Sequence, residues 1–298
     1  MPEVAVVTDS TSYLPRALVA AHGIHEVSLY VADTTGQRRE LEIDDYAAFY
    51  AGLRDAAQLP TTSQPSIGDF AAVYAPLAAE GRDIVSVHIA GGISGTIDSA
   101  RQAAAQVATD HAARRIEVVD STVSAGALGL VALAAAGAAC AGGDAAAVVA
   151  AARAAIDAMR FWFAVDTLEY LRRGGRIGAA QAWLGGALKI KPILTLDGEI
   201  TPVERVRTSK RAFERMVEYM HERRADGADA WVVQHVQAQD VADRLVARGR
   251  EVFGCDPAFV SEVGPVIGAH VGPGLVGFGG IPLALLGAEP GRADERLA

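Results

Sequence analysis

Hydroxyl and glycine residues cluster twice in this chain, as Thr61-Thr62-Ser63-Gln64-Pro65-Ser66 and as Gly91-Gly92-Ile93-Ser94-Gly95-Thr96. A histidine, His270, lies in GPVIGAHVGPG (264–274), among four glycines and two prolines. Hydroxyls, backbone N–H groups that glycine leaves open to close approach, and an imidazole are the donors that hold a carboxylate or phosphate oxygen. Segment 91–96 follows the strand-like run IVSVHI (84–89) and precedes a helical run, the place where α/β proteins bind such groups. By itself it also reads as a Gly-Gly turn with a Ser or Thr cap. It lacks the Lys of a Walker loop, and it is not the Gly-x-Ser-x-Gly of a nucleophile elbow. Pro65 disfavours helix at Gln64, so 61–66 is expected as a loop. Its hydroxyls either cap the next helix through Ser66 or face a ligand.

Alternating strands and helices position these groups. Strands are expected at 4–8, 25–32, 84–89 and 116–120. Helices are expected from Pro15 to Gly23, over 44–58, from a capping box at Ser66 and Asp69 to Glu80, and over 96–108. Two Ala-rich helices follow, the second over 144–158. Strand, polar turn and helix in series predict a parallel sheet covered by helices. Past residue 158 the pattern changes. Strands at 161–167, 190–196 and 229–236, an Asp197-Gly198 hairpin, and helices 208–224 and 238–252 imply antiparallel pairing that the first half lacks. The expected fold is therefore α/β in two domains, 1–158 with a mainly parallel sheet and 159–288 with a mixed one, followed by a polar tail at 289–298.

Composition narrows the function. A net charge of −9 speaks against sequence-independent nucleic-acid binding and against electrostatic docking on anionic membranes. AGALGLVALAAAGAACA (125–141) is short for a membrane span and richer in Ala and Gly than in Leu and Ile, so it reads as a buried helix. The opening MPEVAVVTDS has no basic region followed by a long apolar stretch, so it is not expected to be a signal peptide. The two cysteines, Cys140 and Cys255, show no metal-ligand or dithiol spacing; they read as reduced, partly buried thiols of a cytosolic protein. Two basic clusters stand out, Arg172, Arg173 and Arg176, then Arg205, Arg207, Lys210 and Arg211. Solvated surface charge is the ordinary reading of such groups.

TDSTSYLP (8–15), TTSQPS, ISGT with Ser99-Ala100, VVDS (118–121), LEYLRRGGRIG (168–178), KIKPIL (189–194) and GPVIGAHVGPG occur in one order. Together they resemble the DegV family of bacterial fatty-acid-binding proteins, from about residue 4 to about residue 286. The resemblance implies two α/β domains with a fatty acid held between or beside them. It implies no catalytic residue, metal or cofactor in this chain. Its partners would be a long-chain fatty acid, a fatty acid kinase that phosphorylates the bound carboxylate to an acyl phosphate, and an acyl-phosphate acyltransferase, in the cytoplasm. Carried over by position, the carboxylate would meet Thr62, Ser63, Ser94, Gly95 and His270. Arg176 and Arg207 match recurring family arginines and are candidates for partner docking or phosphate contact. The family's Ile-Ser-Ser reads Ile89-Ala90-Gly91 here. Backbone N–H groups are expected to replace the two missing hydroxyls, with His270 as a charged partner.

The fatty-acid tail is expected along the Ala-rich helices and Ile93, Ile97, Phe161, Phe163, Ile190 and Ile193. A carrier that acts as a monomer is the leading expectation. The competing one is a phosphotransferase or hydrolase of a small carbonyl or phosphate substrate, with Ser94 or His270 as nucleophile and Asp9 or Asp120 as orienting group. The dihydroxyacetone kinase substrate domain, a fold relative of the family, supports that alternative by analogy.

Overall fold

A computed structural model describes residues 3–55, 58–184 and 190–287. The expected polar tail at 289–298, and Lys189 of the KIKPIL run, lie outside the described residues. Four strands make a parallel sheet in the order β2-β1-β6-β7: β1 (Val4–Asp9), β2 (His25–Val27), β6 (Asp83–His88) and β7 (Ile116–Asp120). Six make a mixed sheet in the order β10-β9-β8-β13-β11-β12: β8 (Arg160–Ala164), β9 (Lys191–Asp197), β10 (Glu199–Val206), β11 (Ala230–His235), β12 (Phe259–Glu262) and β13 (Val276–Ile281). A mainly parallel sheet followed by a mixed one matches the expected fold class.

The first half nevertheless contains antiparallel pairing. β3 (Tyr30–Asp33) pairs antiparallel with β4 (Gly36–Arg39) and with β5 (Thr61–Ser63). The single strand expected over 25–32 is thus two strands in different sheets. Its apolar alternation runs on unbroken, but hydrogen bonds part it at Ser28-Leu29. The Ser28 hydroxyl donates to Leu29 O and accepts from Leu41 N, while Leu29 N donates to the Ser10 hydroxyl. Thr61–Ser63, expected as loop, is the short edge strand of this third sheet.

The helices are α1 (Arg16–His22), α2 (Tyr46–Asp55), α3 (Ile67–Ala79), α4 (Thr96–Asp110), α5 (Ala125–Cys140), α6 (Ala145–Ala158), α7 (Glu169–Arg173), α8 (Ser209–Ala225), α9 (Gln239–Phe253) and α10 (Pro265–Val271). The Ser66–Asp69 capping box forms at the start of α3. Strand β8 stops at Ala164, short of the expected 167. Asp166 turns to Lys191, and the Thr167 hydroxyl accepts from Glu169 N to begin α7. Strand β13, VGFGGI, has three glycines in six residues yet lies inside the mixed sheet. The Phe161 ring crosses it where side chains at Gly277 and Gly279 would stand.

Helix α5 is apolar almost all round and packs on β1 and β6 of one sheet and on β11 and β13 of the other. It is the buried helix that its Ala- and Gly-rich composition predicts, and no described helix is long and apolar enough to cross a membrane. Small residues let two sheets and the segment after β13 approach it closely: side chains at Gly126 and Gly137 would overlap Gln234 and the Leu286 carbonyl oxygen. Both cysteines are exposed, not partly buried. Cys140 ends α5 where the helix emerges from the core, and Cys255 sits in the turn after α9.

In an exposed helix, Gly→Ala adds about 1 kcal/mol of stability. At Gly137 the added methyl would meet a backbone oxygen that no rotamer change can move. Overpacking of roughly 1–3 kcal/mol therefore prevails, and Gly137→Ala is expected to lower the urea midpoint.

Candidate functional site

The edge strand β5 and the last turn of α10 meet in a single contact. Thr62 Oγ1 lies 2.8 Å from His270 Nε2, a hydrogen bond across 208 positions of the chain. β5 is held in place by its register on β3, with Thr62 opposite Val31. Beside the contact opens a narrow cavity, about 930 Å³ of space with its mouth included. Thr62, Ser63, Gln64, Ser94, Gly95, Arg176 and His270 all line it, which brings together every expected head-group residue and one of the two expected arginines. The rest of the lining is mostly apolar, with Leu29, Ile93, Phe161, Phe163, Leu171, Leu196, Val266 and Ile267 among it. Gln234 also reaches this wall, but its amide is taken up by Gly126 N and the Ser261 hydroxyl.

His270 is a neutral imidazole at physiological pH. Burial, then the Arg176 charge, hold its pKa down to about 4. The charged partner expected from sequence is therefore absent before a ligand binds. Among the described residues its Nδ1 atom has no hydrogen-bond partner, and the ring packs so tightly on Gly174 that a side chain there would overlap Nδ1. Arg176 donates to Gly174 O at 2.8 Å and, more weakly, to Ile93 O at 3.4 Å. Its exposed guanidinium borders the main cavity and two shallower hollows on either side of it. Arg207 is exposed just beyond β10 and borders none of these. In the second basic cluster, Lys210 and Arg211 are paired with Glu214 and Glu218, and Arg205 lies over the Trp183 ring.

The glycine loop works differently from its expected form. Gly91 N donates to the Asp120 carboxylate at 3.1 Å and Ala90 N to Val123 O at 2.8 Å, so neither N–H replaces the missing hydroxyls. A side chain at 91 would stand 2.7 Å from Asp120 Oδ2, and one at 92 would overlap Gly198 O at the tip of the β9–β10 hairpin. Gly198, at φ +73°, fills that tip and donates its N–H to Thr122 O at 2.7 Å. These glycines make room for protein, not for ligand. The Ser94 hydroxyl shares a 2.8 Å hydrogen bond with Thr96 Oγ1 at the start of α4, and the Gln64 amide covers Gly95. Ser63 Oγ accepts from Gln37 at 3.0 Å.

Of the residues expected along the tail, Ile93, Phe161 and Phe163 face the cavity. Ile97, Ile190 and Ile193 do not: Ile193 is buried with Trp231 and Met216 on the other face of the mixed sheet, and Ile97 packs beside Gly91. Strand alternation separates Ile193 from Leu194, and a sheet covered on both faces gives no sign in sequence of which side holds a cavity. Sequence reading also missed Leu171, Leu196, Ile200, Val266 and Ile267, which carry only the pattern of ordinary core.

Among the described residues His270 Nδ1 has no carboxylate partner to orient it as a nucleophile, and Asp120 accepts from Gly91 N and Thr122 N. Asp9 serves a different histidine: its Oδ2 lies 3.0 Å from His88 Nδ1, and His88 Nε2 lies 2.6 Å from Ser86 Oγ. This Ser-His-Asp row is wholly buried and borders none of the cavities described, with Tyr74 donating to Ser86 at its far end. It pins Ile89 N to Asp9 and so secures the strand end before the glycine loop. Among the described residues no group of three or more His, Cys, Asp or Glu is placed to hold a metal ion.

Comparison with known proteins agrees with the geometry. A family model described as an uncharacterised protein, DegV family, matches residues 3–283. A DegV domain-containing protein of Streptomyces coelicolor is 44% identical over 278 residues, 92% of this chain and 96% of its own. A structure described as fatty acid binding of a DegV family protein from Thermus thermophilus superposes with a TM-score of 0.83 at 34% identity, covering 95% of this chain and 100% of that one. That of DegV from Bacillus subtilis, described as a fatty acid binding protein, does so with a TM-score of 0.83 at 35% identity, covering 94% and 100%.

Gly174→Ala is expected to push the imidazole off its seat and out of the Thr62 hydrogen bond. His270 would then titrate nearer the ordinary histidine value of about 6.5 than the about 4 of the parent. Following the imidazole by NMR against pH reads this directly.

Proposed function

The chain belongs to the DegV family, and from that premise we propose that it binds one long-chain fatty acid, with the tail in the apolar cavity and the carboxylate at Thr62, Ser63, Ser94, Gly95 and His270. The carrying observation is a cavity lined mostly by apolar side chains, with hydroxyls and a neutral imidazole in the same lining and two of them, Thr62 and His270, in direct contact. Each buried methylene contributes ~0.8 kcal/mol, so a long tail supplies roughly 10 kcal/mol of gross driving force. The head group sets the opposing cost, because a buried carboxylate without donors is strongly disfavoured. Thr62 and His270, which are bonded to each other, turn to that carboxylate.

The lobes 1–158 and 159–288 meet over the ligand in this reading, and both contribute to the cavity lining. The chain itself performs no chemistry. It presents the head group to a separate fatty acid kinase and keeps the resulting acyl phosphate from water until an acyltransferase takes it. What supports this is the location of Arg176, an exposed cation at the mouth beside the head group. Arg207, away from the cavity, remains a candidate for docking that kinase.

Organic extraction of the denatured protein, followed by mass spectrometry, is expected to release about one fatty acid per chain. Stripped protein is expected to rebind one. Finding neither copurified lipid nor rebinding refutes the reading.

The depressed pKa of His270 adds a linkage signature. A bound carboxylate favours the imidazolium, so the pKa rises above its ligand-free value of about 4 on binding. Binding then takes up protons between the two values, and affinity strengthens as pH falls through the higher one. Calorimetry in buffers of different ionisation enthalpy is expected to show this uptake. His270→Ala is expected to abolish it and to weaken binding by about 1.5–3 kcal/mol.

A further inference from the structure

Helix α10 carries His270 at one end and depends on distant residues at the other. Pro265 at its start has no N–H to offer, and Gly268 N is already bonded to Gly264 O. Two free N–H groups remain, those of Val266 and Ile267. Both are taken by side chains more than 220 residues away. Val266 N donates to Glu40 Oε1 at 2.8 Å, and Ile267 N donates to the Tyr13 hydroxyl at 3.2 Å. The Tyr13 hydroxyl in turn donates to Glu40 Oε1 at 2.9 Å, and the Ser10 hydroxyl donates to Glu40 Oε2 at 2.5 Å.

Glu40 is 1% exposed, and the space around it is filled. A side chain at Gly264 would stand 2.8 Å from Glu40 Oε1 and 2.7 Å from Tyr13 Cε1. Tyr13 reaches this place from a left-handed backbone, φ +48°, a conformation costly for a tyrosine and held here by its surroundings. On its other side Glu40 adjoins the three-stranded sheet to which Thr62 belongs. It follows β4 directly, its N–H donates to Leu29 O at 2.9 Å, and β4 and β5 flank β3.

We propose that Glu40 is the positioning residue of the head-group site: its carboxylate caps α10 and thereby sets the His270 imidazole against Thr62. The role rests on the fatty-acid reading above for its consequence, though not for its geometry. An ionised carboxylate at a helix start strengthens the cap and complements the helix dipole. Burial pushes the Glu40 pKa up to about 7, Asp9 adds to the rise, and the hydrogen bonds from Ser10, Val266 and Tyr13 oppose it. Tyr13, Tyr46 and Tyr50 face it from neighbouring elements, and each is itself shifted upward by burial and by the Glu40 charge. The cap therefore gains its full charge only above neutrality. When Oε2 is protonated, Ser10 turns to accept from it and the row stays bonded, with a weaker hold on Val266.

Glu40→Gln mimics the protonated form in the same shape, so its effect must depend on pH. Oleate titration at pH 8 is expected to show an affinity loss of roughly tenfold, the scale of a charged hydrogen bond made neutral. At pH 6, where the parent is itself protonated, the ratio is expected to shrink toward one. A loss equal at both pH values, or no loss at all, overturns the proposal. If Glu40→Gln does not fold, Tyr13→Phe serves. Removing the donor that lowers the Glu40 pKa is expected to move the parent's pH dependence to higher pH, and no movement overturns the idea. The protein without oleate supplies a separate readout: at pH 8 the NMR shifts of the His270 ring are expected to differ between Glu40→Gln and the parent and to converge at pH 6, and identical shifts at pH 8 overturn the proposal. Should oleate fail to bind the parent chain, the fatty-acid reading falls, while the His270 ring shifts at pH 8 still decide the role of Glu40.

Discussion

A hydroxyl and an imidazole facing an apolar cavity need partners, and Thr62 and His270 supply each other. That 2.8 Å contact draws on most of the architecture around it. Thr62 belongs to an edge strand of three residues whose place is set by pairing on one neighbour. His270 belongs to a helix of two turns, too short to be stable without external support. Such short elements are positioned by what packs on them. Glu40 and Tyr13 hold one end of the helix, and Gly174 lies directly against the imidazole at the other.

Glycine serves this site mainly by letting protein approach protein. Gly92 admits the hairpin tip, Gly91 admits the Asp120 carboxylate, and Gly174 admits the imidazole. A glycine-rich loop after a strand in an α/β fold suggests N–H groups aimed at an anion. Here the N–H groups of Ala90 and Gly91 are already bonded within the protein. In the proposed reading the head group is left to Gly95 and to the side chains of Thr62, Ser63, Ser94 and His270, which line the cavity.

Polar groups away from the cavity are bonded into rows that brace the same surface. Asp9 holds His88 and the N–H of Ile89, and so fixes the end of β6 from which the glycine loop departs. Its serine, histidine and aspartate have the order of a hydrolytic triad, but full burial gives them no substrate to meet. Chemistry needs access as well as geometry, and the cavity beside His270 combines an opening with a ring nitrogen that has no partner among the described residues.

Local patterns in the sequence determined the alternating strands and helices, the capping box at Ser66, the Asp197-Gly198 hairpin and the buried nature of α5, because each rests on periodicity or turn chemistry within a few residues. The ordered motifs likewise pointed to Thr62, Ser94 and His270 as members of one region. Only the tertiary structure decided that 25–32 divides between two sheets, that Thr61–Ser63 is a strand, and that Leu194 and Ile193 face opposite cores. Side-chain hydrogen bonds from Ser10 and Ser28 divide 25–32, and no propensity encodes a partner so far along the chain. The neutral state of His270 belongs to the same class: its cause is burial beside Arg176, a property of the assembled site and of no segment alone.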